Sequence, residues 1–449
     1  MIKADFIRSL GLGRIVNFEG AINGAEIDSR KLEPGAAFFA LKGATSDGHA
    51  YVQEALQKGA VLCVVAEDWA AKNPTPAPLW IVPDPEKALQ KLAEKWRLSF
   101  SIPVLAITGT NGKTTTRAMC AAIIKTAYNL HTTSGNFNNQ LGLPITLLNL
   151  RPEHQFSLIE MGTNHYGEIA RLCEIAHPNA GLITNVGWGH IEFFGNIEGV
   201  AQAKSELFAA LPENGTAFIN ADDPLIVKMP VAGRKIKYGF ENKAVDFYGK
   251  ISGYNDEGQA VLNVNSRFDI HLSIPGRIAA LNALAAVAVG LFFNVDEKAA
   301  IAALEAFQPV SQRFVQIKVG PYQVINDAYN ANPDSTIAAL ETFGRIKTSG
   351  RRIFIMGDML ELGQYSSSGH QRVGQAVAKV GIDCFYGVGT QTAYATEAAA
   401  QVGLKNVYHF QNKSDLLSAL KSDLKKGDTL LVKGSRGSRM EEIIEGLSQ

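Results

Sequence analysis

With 449 residues, 46% of them hydrophobic, the chain exceeds what one compact core accommodates, and roughly 100 to 200 residues per domain predicts two to four domains, with three as the working number. Lysine plus arginine number 43 against 43 aspartate plus glutamate, so the net positive charge that drives non-specific binding to nucleic acid or anionic lipid is missing. The start MIKADFIRSLGLG lacks the pattern of a secretory signal, and the longest apolar stretch, Ala283 to Phe293, falls short of the roughly 20 residues that span a bilayer; a cytoplasmic protein without membrane insertion is expected.

Along the chain, short apolar runs at Ala36 to Leu41, Val61 to Ala66 and Leu79 to Val82 alternate with a helical segment from His49 to Lys58, which predicts a small α/β unit. The breaker Asn73-Pro74-Thr75-Pro76-Ala77-Pro78 follows, and Pro83 and Pro85 introduce a helix running towards Trp96. The first boundary is placed near Pro83. From Val104 the order is strand, glycine loop, long helix from Arg117 to Tyr128, then strands at Phe156 to Glu160, Ala180 to Asn185 and Ala217 to Asn220, the pattern of a parallel core. Asp246 to Ile274 alternates apolar and polar residues between Gly and Asn turns and reads as a β-ribbon, closed by an Ala-rich helix from Ala279. After Pro309, strands at Tyr322 to Asn326, Arg352 to Met356, Cys384 to Val388, Val407 to Phe410 and Thr429 to Val432 recur with helices between them, as in a Rossmann-like layer. The expected class is α/β in three domains: a small N-terminal α/β domain over 1–83, a central P-loop parallel-sheet ATPase domain with a β-ribbon over 84–310, and a C-terminal Rossmann-like domain over 311–449. Cys63, Cys120, Cys173 and Cys384 are scattered without a CxxC pair, so reduced structural thiols are expected.

Val104 to Thr108 is an apolar strand, and Gly109-Thr110-Asn111-Gly112-Lys113-Thr114-Thr115 leads from it into a helix. Glycines let backbone N–H groups turn towards phosphates, the helix N-terminus favours anions, Lys113 reaches the β/γ-phosphates and Thr114 suits Mg2+. The spacing is GxxGKT, shorter than the common GxxxxGK[ST]. Glu160 ends an apolar strand, where a hard oxygen ligand for Mg2+ or a solvated acid would both fit. His190 follows a strand in a glycine-rich loop and by itself reads equally as a structural side chain. Lys204 lies in the helical segment Ala201 to Phe208, where a surface lysine is the default expectation.

Taken together and in order, GTNGKTT (Gly109 to Thr115), SGNFNNQLGLP (Ser134 to Pro144), EMG (Glu160 to Gly162), TNVGWGH (Thr184 to His190) and AKSELF (Ala203 to Phe208) resemble the Mur ligase family. The resemblance covers nearly the whole chain and extends to DSR at Asp28 to Arg30, PGAAFFALKG at Pro34 to Gly43 and DGH at Asp47 to His49. Within the family, NDAYNANPDS (Asn326 to Ser335), MGDMLELG (Met356 to Gly363) and VKGSRG (Val432 to Gly437) look like the members that join D-alanyl-D-alanine to UDP-N-acetylmuramoyl-tripeptide. The DNPR signature of the sister ligase that adds the third amino acid does not occur.

The resemblance implies an ATP-dependent ligase of peptidoglycan synthesis. ATP would phosphorylate the tripeptide carboxylate, and the amine of the dipeptide would attack the acyl phosphate to give the UDP-linked pentapeptide. It implies two Mg2+ ions, with Thr114, Glu160, His190 and a carbamylated Lys204 as ligands and Lys113 as the cation on the phosphates. It further implies Asn282, Arg313, Asp327 and Tyr329 for the nucleotide, and Asn330, Asn332, Lys433, Ser435 and Arg436 towards the acceptor. Ser29, Arg30, Lys42, Asp47 and Gly48 would serve the UDP-sugar, with Asn138 and Asn139 nearer the sugar and peptide. A monomer is the family expectation. The chain departs from the family at Ile278-Ala279, where His-Asn is common, and at Ser311-Gln312, where a glycine is common. A folylpolyglutamate-synthase-like ligase shares the loop and metal sites but not DSR and DGH; a P-loop switch ATPase would hydrolyse nucleotide without either peptide.

Overall fold

Apolar runs bounded by glycine and proline build three sheets and a two-stranded ribbon, Ile2–Lys3 with Ala21–Ile22, in the computed structural model, which describes residues 1–43 and 46–448. The first sheet has the spatial order Arg14–Val16, Leu79–Val82, Leu62–Ala66, Ala37–Phe39, Ala25–Glu26, parallel except at Arg14–Val16. Pro85–Leu98 is then helical as expected. Asp84 caps it by accepting from Glu86 and Lys87 N–H, Pro85 sits where no N–H is needed, and Leu89, Leu92 and Ala93 are buried. That buried face belongs to one core, which runs without a break from the first sheet to the near face of the central one.

The central sheet has nine strands. Leu130–Thr132, Phe156–Glu160, Val104–Thr108, Ala180–Ile183, Thr216–Asn220, Arg234–Gly239 and Phe247–Tyr254 are parallel neighbours in that order, and Gln259–Val264 and Phe268–Pro275 continue antiparallel. The expected β-ribbon is thus the sheet's own extension. Leu130–Thr132 and Arg234–Gly239 were not anticipated: the first is only three residues long, and the second begins with charged, exposed residues that mask the alternation. The helix after the glycine loop runs Lys113–Ile124, starting and ending four residues before the expected Arg117 and Tyr128. Helix Arg277–Phe292, alanine-rich and buried along most of its length, packs on it so closely that a Cβ at Gly290 would stand 2.4 Å from Ile123 Cγ2. Among the described residues no helix is long and apolar enough to cross a membrane.

The third sheet has the order Val315–Val319, Tyr322–Asp327, Thr429–Lys433, Arg352–Gly357, Cys384–Val388, Asn406–Phe410, parallel except for the first strand. All four cysteines are buried and free. Two strand-order features position the site. Val104–Thr108 lies between Phe156–Glu160 and Ala180–Ile183, with Glu160 opposite Ile107 and Ile183 opposite Thr108, so the three loops leaving these strands' C-terminal ends meet at a switch point. In the third sheet Asp327 and Lys433 are register partners at adjacent strand ends.

Candidate active site

The loops meet around a cavity of about 690 Å3 with walls from the central and C-terminal segments. Thr110, Asn111, Gly112, Lys113, Thr114 and Thr115 line it; Gly109 lies behind. Gly109 has φ 146°, and a Cβ there would meet Thr184 Oγ1 at 1.9 Å, so only glycine fits. Gly112, at φ 79°, caps the helix without a side-chain acceptor, leaving the first-turn N–H groups to an anion. Lys113 Nζ donates to Gly109 O at 2.8 Å and Thr110 O at 3.2 Å, folded over its own loop. Although partly accessible through the cavity, the amine is surrounded by protein, and this burial lowers its pKa while Glu160 opposes the shift.

Glu160 is 2% exposed, which removes the reading of a solvated strand-end acid. Its Oε1 accepts from Asn138 Nδ2 at 2.9 Å and from Thr114 Oγ1 at 3.3 Å; its Oε2 faces Arg117 Nε at 3.2 Å. Arg117, which the sequence reading passed over, also donates to Thr133 O at 2.5 Å and so anchors the carboxylate to the next strand. Thr114 and Glu160 present hard oxygens to one cavity and fit Mg2+. No cluster of three His, Cys, Asp or Glu side chains occurs among the described residues.

His190 lines the cavity with φ 59° and Nδ1 2.7 Å from Glu361 Oε2, a close contact whose direction is poor for a hydrogen bond. Lys204 departs from the surface-lysine expectation. It is 2% exposed on the inner side of helix Ile197–Ala209, and burial, reinforced by the charge of Lys113, pushes its pKa well below the ordinary lysine value. As a cation it does not suit a metal; as a carbamate it would supply an anionic oxygen.

From the C-terminal segment, Arg313 Nη2 donates to Thr114 Oγ1 at 3.0 Å and its guanidinium lies 4.0 Å from the Tyr329 ring centre. Asp327 accepts from the buried Lys433 amine at 2.5 Å and from Phe314 N–H at 3.1 Å; Asn330 O takes Lys433 as well. Asn282 lies against Gly112, close enough that a Cβ on the glycine would be 2.9 Å from its Oδ1. Ile278 and Ala279, at the family's His-Asn position, line the same wall. Asn139 and Asn332 also line the cavity, although Asn139 accepts Gly142 N–H and Asn332 caps a helix through Ser335 N–H. Glu168, Asp334 and Glu361 line it too; Asp334 and Glu361 fall inside motifs noted in the sequence, but none of the three was assigned a role there.

Ser435 and Arg436 stand off this wall. Ser435 Oγ accepts from Leu360 N–H and donates to Ala331 O, and Arg436 pairs with Glu441 and Gln312. Ser29, Arg30, Lys42, Asp47 and Gly48 are likewise apart from it: Ser29 donates to Glu54, Arg30 forks onto Asp28, Lys42 and Asp47 form an isolated bridge, and Gly48 N–H donates to Leu41 O. A second cavity of about 460 Å3 opens between Asn23–Glu26 and the segment from His131 to Arg151, with Lys31 on its wall.

Comparison with known proteins matches "Mur ligase family, catalytic domain" to residues 21–97, "Mur ligase middle domain" to 107–290 and "Mur ligase, glutamate ligase domain" to 312–436. A UDP-N-acetylmuramoyl-tripeptide--D-alanyl-D-alanine ligase of Bacillus subtilis (strain 168) is 35% identical over 431 residues, 95% of this chain and 93% of its own. The structure of MurF from Acinetobacter baumannii superposes with a TM-score of 0.89 at 28% identity, covering 100% of this chain and 98% of that one. The MurF ligase from Thermotoga maritima in complex with ADP gives 0.81 at 28% identity, over 95% and 97% of the two chains.

Proposed function

The chain belongs to the Mur ligase family, and from that premise we infer how its cavity works. It is an ATP-dependent ligase that joins D-alanyl-D-alanine to UDP-N-acetylmuramoyl-tripeptide, giving the pentapeptide precursor of peptidoglycan. The observation that carries the reading is the meeting of Lys113, Thr114 and Glu160 with Arg313, Asp327 and Tyr329 around one cavity, in a chain alike to such a ligase over 95% of its length.

The division of labour proposed is UDP-sugar on 1–83, ATP on 84–310, and acceptor dipeptide plus part of the nucleotide on 311–449. Lys113 leaves its loop carbonyls for the phosphates, and Gly109 to Thr115 wrap them with backbone N–H groups. Arg313, already at Thr114, adds charge to the same phosphates, while Asn282, Asp327 and Tyr329 hold base and ribose. Mg2+ at Thr114 and Glu160, with a second ion at His190 and carbamylated Lys204, would lower the repulsion between triphosphate and carboxylate. Arg117 and Asn138 hold Glu160 in place for that task. The lowered pKa of Lys204 supports carbamylation, because the neutral amine adds to carbon dioxide and sheds one proton. The tripeptide carboxylate then takes the γ-phosphoryl group, and the dipeptide amine displaces phosphate.

The second cavity, walled by N-terminal and central residues, supports a UDP-substrate lying between them with its peptide end towards Asn138 and Asn139. Lys433, Asn330 and Asn332 belong to the acceptor side of the main cavity, and Ser435 and Arg436 serve by holding the loop that follows Lys433. Ser29, Arg30, Lys42, Asp47 and Gly48 complete the UDP-sugar assignment. A cytoplasmic monomer is part of the same proposal. The test is phosphate release from ATP and Mg2+ with UDP-tripeptide and D-alanyl-D-alanine, each omitted in turn. Release requiring all of them, with a pentapeptide product by mass, is expected; release without the peptides would overturn the reading.

A further inference from the structure

The loop that carries His190 is held from the far side by the C-terminal segment. Asp334, in the first turn of helix Pro333–Arg345, accepts the Trp188 backbone N–H on Oδ2 at 2.9 Å. Its Oδ1 takes Arg372 Nη2 at 3.2 Å, and the same guanidinium lies 4.5 Å from the centre of the Trp188 ring. Backbone and side chain of one residue are thus gripped together. Gly187 makes room: a Cβ there would stand 2.6 Å from Asp334 Oδ2. On the opposite side Thr110 Oγ1 accepts Gly187 N–H at 2.9 Å, so the loop is clamped between the phosphate loop and the C-terminal helix. Two residues earlier, at the N-cap, Asn332 Nδ2 donates to Asn111 Oδ1 at 2.8 Å, tying that helix start directly to the phosphate loop.

Asn332 already caps the helix with its side chain and donates its own N–H to Ser335 Oγ, so the Asp334 carboxylate is not needed as the cap and can turn to the neighbouring segment. Arg372 reaches the same carboxylate from helix Ser366–Val377 while its guanidinium covers the Trp188 ring, so one side chain joins both halves of the contact.

We infer that Asp334 and Arg372 form an inter-domain latch on Trp188 that positions the His190 loop for the reaction only when the C-terminal domain is docked. They are positioning residues, acting through Trp188, and the inference rests on the ligase reading above. Docking sets the loop, and undocking releases it together with product.

The full chain and its Asp334→Ala, Asp334→Asn and Arg372→Met variants are compared in the ligation assay, with small-angle scattering before and after ATP analogue plus UDP-tripeptide. Asp334→Ala is expected to lose about tenfold to a hundredfold in kcat, since a misplacement of about 1 Å can cost up to about a hundredfold. Its KM for UDP-tripeptide should stay within about twofold, because that substrate's contacts are elsewhere, and its compaction should shrink. Asp334→Asn keeps an acceptor oxygen and should recover most of kcat; Arg372→Met keeps the stem over the indole and should fall between. Wild-type kcat and compaction in Asp334→Ala, or a loss that Asp334→Asn does not recover, would overturn the latch. If Asp334→Ala does not fold, Gly187→Ala drives a methyl against the same carboxylate and is read by the same criteria. A wild-type chain that fails to ligate would overturn the ligase reading instead, and the compaction of the variants would then decide the latch alone.

Discussion

At Lys204 a long cationic side chain is enclosed where its second largest electrostatic influence is another lysine, so the charged form is disfavoured twice. A neutral amine is the form that accepts carbon dioxide. Lys204→Ala is therefore expected to lose about a hundredfold or more in phosphate release at saturating substrates, the scale for removing a group that stabilises developing charge. Bicarbonate or a short carboxylic acid should restore part of it, and near-normal activity in the variant would remove the carbamate. Arg117 gives a second test. With it gone, Glu160 keeps Asn138 and Thr114 but loses its only ion-pair partner among the described residues. Arg117→Met should cost about 3–5 kcal/mol in urea unfolding, the range for one half of a buried pair, and a loss below about 1 kcal/mol would place the pair with weak surface contacts. The sequence showed Lys113, Thr114 and Glu160 because two short motifs fix them, the first where a glycine loop opens a helix and the second at the end of an apolar strand. It gave no role to Arg117, or to Asp334 and Glu361 within their motifs, because their partners lie 43, 146 and 171 positions away in the chain.

Among the elements, the glycine loop and the edge of the central sheet answer to different physics. A methyl at Gly109 would strike Thr184 Oγ1 in a backbone region that side chains avoid, so Gly109→Ala should abolish nucleotide binding in titration calorimetry, even where the rest of the chain folds. At the edge, His131 bridges two strands and a helix. Its Nδ1 meets Ser157 Oγ at 2.9 Å and its Nε2 meets Thr146 O at 2.8 Å, and burial lowers its pKa to about 4. The unfolded chain takes up this proton near pH 6.5, before the folded one does, so stability falls as pH drops through the window from about 6.5 to 4. Unfolding free energy at pH 5 should be about 2 kcal/mol lower than at pH 7 through this residue, and His131→Gln should flatten that part of the profile; an unchanged slope would show that the folded histidine titrates as it does in the unfolded chain. Element identity was legible where periodicity was long, as in helix Pro85–Leu98 with its Asp84-Pro85 start. It was lost at Leu130–Thr132, because three residues carry no period, and the ribbon's union with the central sheet depends on strand pairing that no local pattern encodes.

Across the whole molecule, the nucleotide cavity exists only because two segments face each other. Thr114 receives Arg313, Asn111 receives Asn332, and the cavity between them has the phosphate loop on one wall and Asp327, Tyr329 and Lys433 on the other. Three sheets could be counted from the sequence; their apposition could not, since it rests on a few polar side chains and on apolar residues such as Ile191, Phe194 and Val200, which join the C-terminal core although they follow the central strands. A surface joined by side chains and not by shared strands is expected to open and close, and a nucleotide touching both walls would favour the closed form by its differential affinity. ATP analogue plus UDP-tripeptide should therefore reduce the radius of gyration in small-angle scattering, with UDP-tripeptide alone doing less because it leaves the Arg313 wall untouched. An unchanged profile with both ligands bound would mean that the two walls stand at their working distance without ligand, and that the reaction proceeds in a site fixed by folding alone.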